Sequence, residues 1–216
     1  MQKTEVALSF TGRVSNTFSP IPKAMTNKKN ELAVRTRKLI KAGEGSIPHM
    51  YLDTVGKVTI GVGNMLRNAE AATRLPFIVK ETGDDASDAE IIAEFELVAE
   101  QESGRSARYY KRYTKLVLKK DAIDKLLDKR LQQFTRKLRK DFEGFDDFPP
   151  DAQLGLLDMA FNLGNHGLIT KFPSFTRAAR ARDWAKCAQE CRRKQVQKSR
   201  NAEVRELFEA CAHDQR

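Results

Sequence analysis

Cysteine is scarce: Cys187, Cys191 and Cys211 are the only three in 216 residues. So few, and an odd number, cannot build the disulfide framework of a small secreted scaffold. One thiol must stay unpaired within the chain, so synthesis in a reducing cytoplasm is expected. Histidine is as sparse. His49, His166 and His213 are isolated, and neither a His-Glu-x-x-His nor a Cys-x-x-Cys spacing occurs. No metal and no other cofactor is therefore expected. No apolar run approaches the roughly 18 residues of a membrane-spanning helix. The stretch Met1–Asn16 lacks the basic start and apolar run of a secretory signal. No Gly-rich phosphate loop follows a strand-like run, which removes support for nucleotide chemistry. Internal repeats and low-complexity tracts are missing too.

What remains is an ordinary globular composition, 40% apolar and 31% charged, with enough chain for a real core. The net charge is +10, unevenly spread. Residues 80–104 hold nine acids and one base, whereas residues 105–140 hold 14 bases and three acids. Residues 177–200 hold nine bases and two acids. The basic stretches also read as helices, so the charge rides on helical faces and not on a tail. A basic surface suits nucleic acid, an anionic wall polymer or a membrane equally. The Arg108–Tyr113 run could stack bases, but no nucleic-acid fold signature accompanies it, and no specific nucleic-acid partner is expected.

Along the chain, residues 1–30 read as a flexible lead or linker, with one short strand at Val6–Phe10. Asn30 is the expected cap of a first helix that Gly43 and Gly45 end. Met50–Asp53 and Val58–Val62 flank Thr54-Val55-Gly56-Lys57 as a hairpin. The remainder reads as helix. Ser87–Glu90 is a capping box, and Lys120–Phe142 carries a long apolar stripe. A further helix follows Pro149-Pro150 and closes at Gly164. Ser174–Ala181, Trp184–Arg193 and Asn201–Cys211 give three more. The fold class is α+β, mostly α, with a small N-terminal lobe holding the hairpin and a larger helical C-terminal lobe. Trp184 is expected as a core anchor, the cysteine pair 187/191 as a buried face, and His49 as a packing or surface residue.

Chemistry concentrates around the hairpin. Glu44 sits between two glycines where a helix runs out, so the dipole does nothing to favour its charged form. Asp53 follows nine residues later, near the turn. With a three-residue loop, Val55–Lys57, Asp53 would face Thr59 across the ladder on the same side. A carboxylate and a hydroxyl would then hold a water opposite a second carboxylate. An inverting glycosidase needs that set, with roughly 6.5–9.5 Å between the acids. Asp and Thr are equally common as plain turn residues, and the residue types alone do not choose.

The spacing does. Glu44-Gly45, Tyr51-Leu52-Asp53, and Gly56 through Thr59-Ile60-Gly61-Val62-Gly63 resemble the active-site segment of bacteriophage-type lysozymes, the glycoside hydrolase family 24 endolysins of the T-even phage group. The likeness spans about twenty contiguous residues. Leu157–Gly164 resembles that family's central buried helix, Val117–Phe134 its long connecting helix, and Ser199–Phe208 its Arg-rich C-terminal helix. The resemblance implies a lysozyme-like catalytic domain over residues 31–216 that cleaves the β-1,4 bond from N-acetylmuramic acid to N-acetylglucosamine. Glu44 would be the general acid, with Asp53 and Thr59 activating water. Tyr51, Met65 and Phe161 would bind substrate, while Arg200 and Asn64 would support the site.

Two departures stand out. The family commonly has His where this chain has Asn64, which removes a buried ion pair behind the hairpin. Residues 67–114 are an enlargement, whose acidic and basic halves are expected either to pair with each other or to bind the wall or an immunity protein. Such enlarged domains also resemble peptidoglycan-cutting modules of bacterial secreted effectors. The expected partner is peptidoglycan, with a cognate immunity protein and delivery machinery as further candidates, and the expected state is a monomer. The expected route is synthesis in the cytoplasm without a signal peptide and action in the periplasm or wall of a target bacterium. The rival reading is a non-catalytic wall-binding module.

Overall fold

A computed structural model describes residues 23–214, with side chains from residue 31. The lead proposed for residues 1–22, including the strand at Val6–Phe10, lies outside the described residues. The rest of that lead is helical: α1 runs Lys23–Glu44, so Asn30 is inside the helix and not its cap.

A long helix, α5 (Lys120–Asp141), organises everything else. Ala122, Ile123, Leu127, Leu131 and Leu138 fall on one buried face, as their three- and four-residue spacing requires. Asp121 opens the helix and Arg139 and Lys140 close it, each matching the dipole at its end. The first four apolar residues bury in one core with Ile40, Met50, Leu52, Val58 and Ile60. Leu138 buries in a second core with Phe142, Phe145, Leu156, Trp184 and Phe208. Each buried Leu or Ile contributes about 1.5–3 kcal/mol. The ion pairs that α1 makes beside them, Arg37–Asp128 and Lys41–Asp124, are partly exposed. Each such pair adds about 0–1 kcal/mol. Apolar packing therefore sets where α5 lies, and the charges adjust α1 against it.

The first core carries β1 (Ile47–Leu52), β2 (Val58–Gly61) and β3 (Asn64–Met65), antiparallel in that order. Tyr51 pairs with Thr59 and Leu52 with Val58. The turn therefore closes two residues away from the expected register, with Lys57 and not Thr59 opposite Asp53. A slip of two residues keeps every side chain on its face. Asp53 and Thr59 thus still share one face, on a diagonal.

The enlargement differs more from expectation. It is not all helical. After α2 (Ala69–Thr73), β4 (Phe77–Val79) pairs with β5 (Leu116–Leu118), Phe77 opposite Leu118. This ribbon zips the two ends of the enlargement together, and α3 (Asp88–Ala99) and α4 (Ala107–Tyr110) lie between. The start of the expected connecting helix, Val117 and Leu118, is strand. The Ser87–Glu90 capping box forms as expected.

The second core is built by α6 (Pro150–Lys171), α7 (Pro173–Arg180), α8 (Trp184–Glu190) and α9 (Lys198–His213). At Gly164, φ 71° and ψ 152° break α6, a conformation open almost only to glycine. Trp184 anchors this core against Phe148 and Phe208, and the three thiols are buried and free. Gly155 lets α6 and α9 approach: a Cβ there would lie 2.6 Å from Phe208 Cζ. Phe208 is wedged between Phe175 and Trp184 and has no room to retreat. Gly155→Ala is expected to cost about 1–3 kcal/mol of stability through overpacking, measurable by urea denaturation.

Candidate active site

Glu44 ends α1, and Gly45, at φ 78°, turns the chain into β1 while its N–H caps Lys41 O at 2.9 Å. Across from it, α9 supplies Arg200. The Arg200 Nη1 donates to Glu44 Oε1 at 2.7 Å, and its Nη2 and Nε donate to Asp158 Oδ1 at 2.7 and 3.0 Å. Asp158, on α6, is fully buried and also takes Arg193 Nη2 at 2.8 Å. Two guanidiniums and two carboxylates form one chain of balanced charge. Burial works against the Arg200 charge, but the hydrogen bonds and charges of Asp158 and Glu44 outweigh it and hold its pKa above the usual arginine range. The guanidinium passes directly over Gly43, where any Cβ would collide with it.

On the opposite wall, Asp53 is held by its turn. Its Oδ1 accepts from Val55 N at 3.0 Å and Lys57 N at 2.9 Å, and Gly56 sits at φ 75°. That leaves Oδ2 directed to the Thr59 hydroxyl at 3.4 Å. Thr59 is buried, and its hydroxyl also reaches Lys57 O at 3.0 Å. It has a single proton for these two acceptors.

Thr59 lies directly between Tyr51 on β1 and Met65 on β3. Residues paired across a ladder share a face. Tyr51, Thr59 and Met65 therefore form one row, with Asp53 on its diagonal. Burial, then the negative charges of Asp53 and Glu44, push the Tyr51 phenol above its ordinary pKa, while Arg130 pulls the other way. Both negative charges thus act on the Tyr51 ring.

Asn64 pairs with Ile60, one residue along, and so faces away from that row. The support behind the hairpin comes from Arg130, which sequence reasoning missed. Its Nη1 donates to Gly63 O and, at 3.4 Å, to Val62 O. Its guanidinium lies 4.6 Å from the centre of the Phe161 ring. Phe161 is thereby buried, packed on Phe134 at 5.4 Å, and forms a floor beneath Arg130. Met65, by contrast, is half exposed and lines the opening. Desolvation lowers the pKa of Arg130, and Glu44 and Tyr51 counteract it. A cation three residues after Leu127 and four before Phe134 falls on the apolar stripe of α5, the one available signal. Asp158, inside the Leu154–Phe161 stripe, carried the same kind of signal.

No family model matches the chain, and no curated protein matches it either. Among the described residues, no group of three or more His, Cys, Asp or Glu is placed to hold a metal ion. No helix among them is long and apolar enough to cross a membrane.

Gly43→Ala is expected to push Arg200 off Glu44 and lower stability by about 1–3 kcal/mol. Gly45→Ala meets no neighbour and carries only the strain of its positive φ, about 1 kcal/mol. Thermal melts of the two variants, side by side, check the order.

Proposed function

We propose that this protein is a peptidoglycan hydrolase, a muramidase cutting the β-1,4 bond from N-acetylmuramic acid to N-acetylglucosamine with inversion. One observation carries the reading: one carboxylate is clamped by a guanidinium where α1 turns into β1, and a second, at the tip of the same hairpin, is aimed at a buried hydroxyl. In the proposed reaction Glu44 gives its proton to the bridging oxygen as the C1–O bond breaks. A water held by Thr59 and Asp53 attacks C1 from the opposite face, and Asp53 takes the proton released. Water is added across the bond, and the new reducing end is α. Tyr51 and Met65 would contact the glycan, and Arg130 would keep the β2–β3 exit in place beneath it. The setting proposed is the wall or periplasm of a target bacterium, reached with delivery machinery and answered by a cognate immunity protein.

The Arg200–Glu44 pair favours a second reading. A carboxylate held in an ion pair is ionised and is a poor proton donor, so a lysozyme-like module that only binds wall glycans would show the same pair. Against that, Arg200 keeps its bonds to Asp158 when the Glu44 bond is given up, so the guanidinium is not left without a partner.

Glu44→Gln is expected to lower release of reducing ends from purified peptidoglycan by about 100- to 10,000-fold, the usual weight of a general acid, while the protein stays folded by circular dichroism. A wild-type rate would remove Glu44 from the chemistry, and absence of hydrolysis by the wild type would leave the binding module. The first product seen by proton NMR should be the α anomer. Early β product would refute inversion.

A further inference from the structure

Pairing of the acidic and basic halves was one of the outcomes expected for the enlargement, and among the described residues it is limited to Arg105–Glu102, the one ion pair within residues 80–115. Glu94 is spent on the backbone N–H groups of Lys115 and Leu116. Among the described residues, Arg108, Lys111 and Arg112 have no acidic partner. Arg112 is nonetheless held in place. Its Nε donates to Tyr109 O at 3.2 Å, and its guanidinium lies 4.5 Å from the Tyr109 ring centre and 5.9 Å from that of Tyr113. The two phenols are joined at 3.2 Å. Arg112 is exposed, and its side-chain hydrogen bond uses only Nε, so its two terminal nitrogens are not engaged by it.

This face is bolted to the catalytic hairpin. Tyr110 O–H donates to Glu102 O at 2.8 Å, and the His49 ring, on β1, is hydrogen-bonded to Ala107 O at 2.9 Å. Ser103 packs against Gly56, in the turn that positions Asp53. Arg108, Lys111 and Arg112, the last held over its rings, therefore sit beside the hairpin, and next to them runs the acidic α3 with Asp88, Glu96 and Glu100 exposed.

A guanidinium fork matches a carboxylate with two parallel hydrogen bonds. A continuous polyanion would run from the cationic strip onto the acidic helix and be repelled there. A short chain carrying both carboxylates and an amine meets opposite charge on both strips.

We propose that the face formed by Arg108, Tyr109, Lys111, Arg112 and Tyr113 is an accessory site for a short peptide bearing carboxylates and an amine. Resting on the muramidase reading, that peptide is the stem peptide of peptidoglycan. The site would grip the wall next to the cleft and hold the glycan strand over the hairpin.

The test titrates a purified, glycan-free stem peptide with free carboxylates and amine into the full chain by calorimetry. Binding is expected in the wild type and at least tenfold weaker in Arg108→Glu/Arg112→Glu. Arg112→Lys, which keeps the charge and loses the fork, should fall between them. Lys125→Glu/Lys129→Glu makes the same change in net charge on α5, outside this face, and should bind like the wild type. Equal binding by the wild type and the Arg108/Arg112 variant, or none by the wild type, overturns the proposal. So does duplex DNA held through these arginines with no peptide bound. Wild-type hydrolysis of peptide-free glycan strands is assayed separately. Cleavage without peptide binding sinks this inference alone, and peptide binding without cleavage sinks the muramidase reading alone.

Discussion

The structure turns on one guanidinium. Arg200 is 7% exposed and bridges Asp158 on α6 to Glu44 at the end of α1. Removing one member of such a buried network costs about 3–5 kcal/mol, because the partner left behind is a desolvated charge. The pair therefore constrains three helices at once, and it does so at the residue proposed to give up a proton. Asp158 makes this workable. It holds Arg200 through Nε and Nη2 independently of Glu44, while its Oδ2 is shared with Arg193. The absence of a side chain at Gly43 is part of the same device, since the guanidinium occupies that space.

The second constraint is α5. Its first half belongs to the core beneath the hairpin and its last turn to the helical core, so it sets the separation of the two walls of the site. Arg130 lies between. It grips the β2–β3 corner through backbone carbonyls, and a carbonyl contact is indifferent to the side chain at Asn64. That explains how the hairpin keeps its shape although the residue expected to brace it faces elsewhere. Phe161 links the systems again, since it belongs to α6 and packs in the hairpin core.

Legibility in the sequence followed the range of the interaction. The helices from α5 onward were readable because a stripe of apolar residues is local information. So were the Ser87 cap and the Gly164 break. The shared face of Asp53 and Thr59 was readable because a register change of two keeps every side chain on its face. The β4–β5 ribbon was not. Each strand is three residues long, and the strands find each other across the whole enlargement, so nothing near Phe77 announces Leu118. The start of α1 was missed because Asn30 is a good cap residue by type, and a chain of helix formers on both sides overrode it. Arg130 and Asp158 were hidden in plain view: both are charges inside apolar stripes, and a stripe-based reading counts only what is apolar.

The net charge of +10 acquires structure from this arrangement. Part of it is consumed internally, as Arg193 and Arg200 against Asp158 and Glu44. Arg37 and Lys41 neutralise acids of α5. What stays uncompensated on the enlargement is a strip of cations, with Arg112 held by a ring and a backbone carbonyl, beside acids they leave unpaired. Mutual neutralisation across that boundary would be electrostatically favourable in isolation, yet exposed pairs gain about 0–1 kcal/mol at most, because ordering two long side chains offsets the attraction. Stacking Arg112 on Tyr109 orders only one charged chain and leaves it exposed. The two strips can then remain separate at little energetic disadvantage, and that separation is what makes them complementary to a ligand carrying both signs.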